Sequence, residues 1–173
     1  VVFTCDHGHF YGHHGLTAKG AFHYEDMIKV PFIVRFPGKV PSAKMSGSLQ
    51  SLVDLAPTFL DVCEIEIPRT MTGISQKDVW FGKTDFSRTN VIVENHHQPT
   101  TVNHRSYIDR RYKITVYQGK NYGEIFDLDN DSEELNNLWD DPECRDLKMD
   151  LLIKYIHAEL GKEPMWMSRV SGA

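Results

Sequence analysis

The segment Asp6-His7-Gly8-His9-Phe10-Tyr11-Gly12-His13-His14-Gly15-Leu16-Thr17-Ala18-Lys19-Gly20 follows directly on a β-rich start, Val1-Val2-Phe3-Thr4-Cys5. Its β-branched and aromatic residues predict a strand over Val1 to Cys5. From Asp6 to Gly20 the chain is rich in glycine and histidine and has neither helical nor alternating apolar period, which reads as a long loop leaving the strand's C-terminal end. Loops in that position commonly carry function. Of nine histidines in the chain, five (His7, His9, His13, His14 and His23) fall in the first 23 residues, beside Asp6. Where a strand's pleat breaks, successive side chains need not diverge, so Asp6 and His7 can reach one divalent cation. Gly8, Gly12 and Gly15 let the loop fold back on itself and return Lys19 to the site, where an amine would neutralise an anionic oxygen. An Asp-His-Gly triplet also fits an ordinary turn, and these residues alone leave both readings open.

Working outward, Tyr24 to Lys29 predicts a short helix, and Val30 to Phe36 a second buried strand with Pro31 at its start, closed by Pro37-Gly38. Leu52, Leu55, Ala56, Phe59 and Leu60 form a helical stripe within 50–62, with Asp54 as candidate cap and Pro57 in the first turn. The stretch 64–87 reads as a connection. Three β-rich runs follow, Asn90 to Asn95, Tyr107 to Tyr117 and Gly123 to Leu128, the last two joined by a turn at 118–122; together they predict a small antiparallel sheet. Leu147, Leu151, Leu152, Tyr155, Ile156 and Leu160 recur at helical spacing, with Gly161 as the stop, and should cover one face of that sheet. Two units are therefore expected: 1–86, an α/β part, and 87–173, an antiparallel α+β part. Met165, Trp166 and Met167 read as packing residues of the tail.

Length and composition bound what the chain can do. At 173 residues, 40% hydrophobic, it can bury a core of its own, and a net charge of -5 offers no general grip on nucleic acid or an anionic membrane. Its apolar runs fall short of the roughly 20 residues of a membrane span. Cys5, Cys63 and Cys144 lack CxxC spacing, which argues against a disulfide framework or a thiolate zinc site. Cys5 reads as a small buried residue at the strand's end. The first residue, Val1, already stands inside a strand, so the chain reads as the C-terminal part of something longer.

The order of elements resembles the sulfatase branch of the alkaline phosphatase superfamily. There a strand ending Phe-Thr-Ser-Asp-His-Gly leads to Gly-x-His-Gly-Leu, a lysine, Tyr-Glu and an x-Val-Pro strand. The counterparts are Phe3 to Gly8, Gly12 to Leu16, Lys19, Tyr24-Glu25 and Val30-Pro31. Val53 to Thr58, Arg111-Tyr112-Lys113, Gly123 to Leu128 and Asp131 to Leu138 continue the likeness in family order. The resemblance implies the C-terminal part of a sulfatase-like α/β sandwich followed by a small antiparallel sheet packed by a C-terminal helix. It further implies a sulfuric ester hydrolase acting on a sulfate ester, with Asp6 and His7 as metal ligands, a divalent cation that is usually Ca2+, and Lys19 on the sulfate. His9 and His14 are the remaining substrate-binding candidates, against the reading of each as a surface histidine.

The family's nucleophile is a formylglycine made within Cys/Ser-x-Pro/Ala-x-Arg. The chain has no such sequence, so it holds no catalytic residue of its own and is expected to be inactive alone. A phosphonate or phosphate ester hydrolase of the same superfamily, and a non-catalytic metal- or partner-binding module, are the alternatives. Glu94 to His97 end another strand and His104-Arg105 follow shortly after, together reading as a polar turn or as a border of the substrate cleft, and Asp129 to Glu134 read as a solvated acidic face. Oligomeric state and compartment are open; a soluble protein is expected, of a family whose members are often exported to periplasm or exterior.

Overall fold

A computed structural model describes residues 1–97 and 102–162. In chain order the elements are β1 (Val2–Phe3), β2 (Phe10–Tyr11), β3 (Thr17–Ala18), α1 (Glu25–Ile28), β4 (Ile33–Val34), α2 (Leu55–Val62), α3 (Lys77–Trp80), β5 (Val91–His97), β6 (Val102–Ile108), β7 (Tyr112–Tyr117), β8 (Gly123–Asp127) and α4 (Arg145–Lys162). The mixed α/β class is as expected, with a four-stranded antiparallel sheet in the order β5-β6-β7-β8 and a C-terminal helix.

The two faces of that sheet differ in chemistry, one apolar and the other carrying a buried polar cluster. Cross-strand partners share a face, so the pairs Tyr107↔Ile114 and Ile114↔Ile125 put three apolar residues on one side. Helix α4 covers them with Leu147, Leu151, Leu152, Tyr155 and Ala158, and Trp139 closes the cluster. The helical stripe therefore packs as predicted over its first three turns. Ile156 and Leu160, by contrast, are exposed, and Gly161 lies inside the helix.

The opposite face is equally buried but mixed, with polar groups set beside a row of Val91, Ile108 and Phe126. His104, Ser106, Lys113, Thr115 and Glu124 all lie there. Buried polar groups need partners; Ser106 and Thr115 bond each other, the segment 21–25 supplies partners to Ser106, Lys113 and Glu124, and the His104 ring packs against His23 and Tyr117. His23 Nδ1 lies 2.8 Å from Ser106 Oγ, the Tyr24 hydroxyl donates to Glu124 at 2.9 Å, and Asn95 Nδ2 donates to the Ala21 carbonyl at 2.7 Å. Lys113 Nζ pairs with Glu25 at 3.2 Å and with Glu134.

This face corrects three expectations. The run Tyr107 to Tyr117 is two strands that turn at 109–111, and the polar run 102–106 belongs to a fourth strand, β6, because its polar residues point at His23 and its neighbours. Glu94 to His97 and His104-Arg105 are paired strand positions instead of a polar turn. The acidic run is only partly solvated: Glu134 is 3% exposed and neutralises Lys113.

The first region is thinner. β1 and β4 form a two-stranded antiparallel pair, Val2↔Val34 and Phe3↔Ile33, in which Phe3 is 59% and Ile33 60% exposed. The Val30 to Phe36 strand is thus short and open, not buried, and Cys5 is exposed. All three cysteines are free.

The predicted stripe is only partly covered: Leu52, just before α2, and Ala56 and Phe59 within it are exposed, Leu55 and Leu60 are half-buried, and Pro57 and Thr58 are buried. Asp54 is more than a cap. Its buried carboxylate accepts from the amides of Ser51 at 3.0 Å and Ile74 at 2.9 Å and from Gln76 Nε2 at 2.9 Å, and it pairs with Arg88 at 2.5 Å. This hub ties the connecting segment to the helix. Met165, Trp166 and Met167 lie outside the described residues, and no described helix is long and apolar enough to cross a membrane.

Candidate active-site loop

The stretch read as an irregular loop contains a small hairpin. β2 and β3 pair as Phe10↔Ala18 and Tyr11↔Thr17, and the turn between them holds a short 3-10 segment, His13–Gly15. Phe10 is 1% exposed and anchors the hairpin inward. The hairpin base is held by α1: the Gly8 amide donates to the Met27 carbonyl at 2.7 Å and the His9 amide to the Asp26 carbonyl at 3.1 Å. A Cβ on Gly8 would lie 1.7 Å from the Asp26 carbonyl oxygen, so only glycine permits this approach. Helix α1 is pinned in turn by Lys113 and Glu134, whose Oε2 accepts from the Glu25 amide at 2.6 Å. The polar sheet face thereby sets the position of the loop that carries Asp6 and His7.

Asp6 and His7 are mutually oriented. Asp6 Oδ1 accepts from the His7 amide at 3.0 Å, and Oδ2 lies 3.5 Å from His7 Nε2. His7 Nδ1 lies 2.8 Å from the Gly8 carbonyl, an acceptor only, so Nδ1 carries a proton and Nε2 is the ring atom left beside the carboxylate. A backbone carbonyl fixing the tautomer in this way is how metal-ligating histidines are commonly oriented. The Asp6 side chain is 84% exposed, so its oxygens are open to a ligand.

Lys19 is exposed, with no ion pair among the described residues, and it lines the same open trough as Asp6 and His7. At about 2250 Å3 the trough is several times the size of a small-molecule pocket, so it places the three groups on one face, not at one point. Phe32, Ile33 and Trp80 form part of its apolar wall.

His9 and His14 stand away from the trough. His9 is exposed with its ring 4.6 Å from Tyr11. His14 is half-buried and stacks on Tyr24 at 3.8 Å with planes 12° apart. Burial, followed by the neighbouring His13, holds the His14 imidazole below its usual range.

A cluster that sequence reading did not assemble lies beneath the hairpin turn. His13 Nδ1 is 2.6 Å from Asp26 Oδ2 and its Nε2 3.1 Å from Glu133 Oε2, and these contacts, the Asp26 hydrogen bond first, raise the imidazole above its usual range. The one signal available from sequence was the His-His pair inside a Gly-x-x-Gly turn. Its carboxylate partners lie 13 and 120 positions away and only the fold brings them in.

The model for the family described as N-sulphoglucosamine sulphohydrolase, C-terminal, matches residues 12–160. An N-acetylglucosamine-6-O-sulfatase of Bacteroides thetaiotaomicron is 29% identical over 159 residues, covering 88% of this chain and 28% of that protein. A structure solved in complex with its substrate D-glucosamine-2-N,6-O-disulfate superposes with a TM-score of 0.87 at 24% identity, over 98% of this chain and 36% of the other. A phosphonate monoester hydrolase from Silicibacter pomeroyi shares the fold too, with a TM-score of 0.82 at 20% identity over 96% of this chain and 36% of that one. The chain spans about a third of the length of the curated relatives it matches.

Proposed function

We infer that this chain, which belongs to the N-sulphoglucosamine sulphohydrolase C-terminal family, serves as the metal- and sulfate-contacting C-terminal part of a sulfuric ester hydrolase. The match over residues 12–160 carries this reading, because it follows the sequence itself, whereas the fold alone is shared with a phosphonate hydrolase. Relatives named as sulfatases of amino sugars and hexuronates point to a sulfated carbohydrate as the substrate class.

In this reading Asp6 and His7 supply two ligands of a divalent cation, taken to be Ca2+. Support comes from the His7 tautomer, which leaves Nε2 facing the carboxylate. When bound, the cation would polarise the sulfate oxygens as a Lewis acid. Two side chains fall well short of the 6–8 oxygens calcium takes, so the site needs further ligands and the chain alone should bind calcium weakly. Lys19 has no ion pair among the described residues and would neutralise an anionic sulfate oxygen. The exposed apolar surface of β1, β4 and α2 is where the remainder of the α/β body would pack, and the formylglycine nucleophile would come from that part.

The test is steady-state hydrolysis of a sulfate ester by the complete protein. Lys19→Ala is expected to lower turnover by about 100-fold, the usual cost of removing one oxyanion-stabilising donor. Unchanged kinetics would remove Lys19 from the site.

A further inference from the structure

We propose that His13, His14 and Asp26 form a second divalent-cation site, of zinc type, separate from Asp6 and His7. One donor atom from each of the three lies within 4.8 Å of the other two, and the closest contact known among them, His13 Nδ1 to Asp26 Oδ2, is 2.6 Å. Ligands around a tetrahedral zinc at ordinary bond lengths stand roughly 3.4 Å apart, a spacing these distances bracket.

The backbone is shaped for it. Adjacent side chains normally diverge, yet the His13 and His14 rings have centroids 4.3 Å apart. The turn achieves this with positive φ at Gly12 (106°) and Gly15 (69°) and at His14 itself (53°), a conformation uncommon for a residue with a Cβ. Such outliers persist where the surrounding structure holds them, often at ligand sites. Asp26 is brought up by α1, whose backbone is already bonded to the hairpin base through His9.

The partners around the three groups match a metal centre. Glu133 faces His13 Nε2 at 3.1 Å. Both ring nitrogens of His13 face carboxylates, Nδ1 toward Asp26 and Nε2 toward Glu133; a cation would take the place of the Nδ1 proton between His13 and Asp26 while Nε2–H stays on Glu133, the carboxylate–histidine–metal arrangement that orients first ligands elsewhere. His14 Nε2 is buried with no hydrogen-bond partner among the described residues, and stacking on Tyr24 holds the ring in place. Two nitrogens and one carboxylate oxygen suit zinc, with water as a fourth ligand, and suit calcium poorly. A bound ion would join the hairpin turn to α1 and, through Glu133, to the loop after β8.

Zinc titration of the 173-residue chain against a chromophoric chelator, in excess calcium, tests the site independently of the sulfatase reading. One tightly held zinc per chain is expected, with affinity reduced about 100-fold by His13→Asn and by Asp26→Asn and about 10-fold by Glu133→Gln. Asp6→Asn should leave it unchanged. In the unsubstituted protein, the ring 15N resonances of His13 and His14 should shift on zinc addition while those of His7 do not, a readout that stands even if a variant misfolds. Absence of stoichiometric zinc, affinity unaffected by His13→Asn, or a response confined to His7 and Asp6 would each overturn the proposal.

Discussion

The two halves of the molecule use similar apolar residues to opposite effect. In the sheet β5 to β8 and α4, Ile114, Ile125 and Leu151 are completely buried, whereas Phe3, Ile33 and Phe59 in the first 86 residues stand about half exposed. The second region finds its apolar cover within the described chain; the first buries Phe10, Met27, Val79 and Trp80 but leaves the β1–β4 pair and Phe59 largely uncovered. Periodicity thus reports which face of an element seeks burial, and only the fold shows whether the partner is present. What joins the halves is the polar layer of Lys113, Glu134, His23 and Ser106, where loss of one partner strands another.

If that layer is the joint, its removal should have the largest effect. Lys113→Ala leaves Glu134 buried without its counter-ion and is expected to cost about 4 kcal/mol, read from urea denaturation. A cost below about 1 kcal/mol would show that the two regions are held otherwise.

Acid should open the same joint. Burial, with His104 and Lys113 adding, holds the His23 imidazole down at about 3. Because the folded-state value lies below the unfolded one, this contribution is present above about pH 6.5 and lost as pH falls toward 3. Between about pH 6.5 and about pH 4 that amounts to on the order of 3 kcal/mol. His23→Gln, unable to take up the proton, should lose correspondingly less over the same range; identical acid profiles would contradict the assignment.

A matched pair of small truncations sharpens the contrast. Ile125→Val should cost about 1 kcal/mol, and Ile33→Val no more than about 0.5 kcal/mol. Equal effects in the isolated chain would mean that β4 is covered after all.

Much of the second region was legible because its signals are local. The turn at 118–122 and the Leu147 to Tyr155 stripe sit where periodicity and turn chemistry placed them. Strand β6 was not legible, because Val102-Asn103-His104-Arg105-Ser106 looks like a polar connection until His23 and Thr115 are seen to satisfy it. Asp54 looked like a cap because its role as a hub depends on Ile74, Gln76 and Arg88, some 20 to 34 positions away. In the candidate site, Asp6 and His7 were readable as neighbours, and the glycine requirement at position 8 had its cause in α1. The His13 cluster was hidden for the same reason as Asp54: its carboxylates arrive through tertiary structure.

The most direct test measures bound cation and sulfate-ester turnover together in the complete protein carrying Asp6→Asn and His7→Asn. The account expects both to fall, with calcium content and hydrolysis lost in the same variant. Retention of full turnover with the cation still bound would show that these two residues do not hold it, and the functional assignment of the loop would fail.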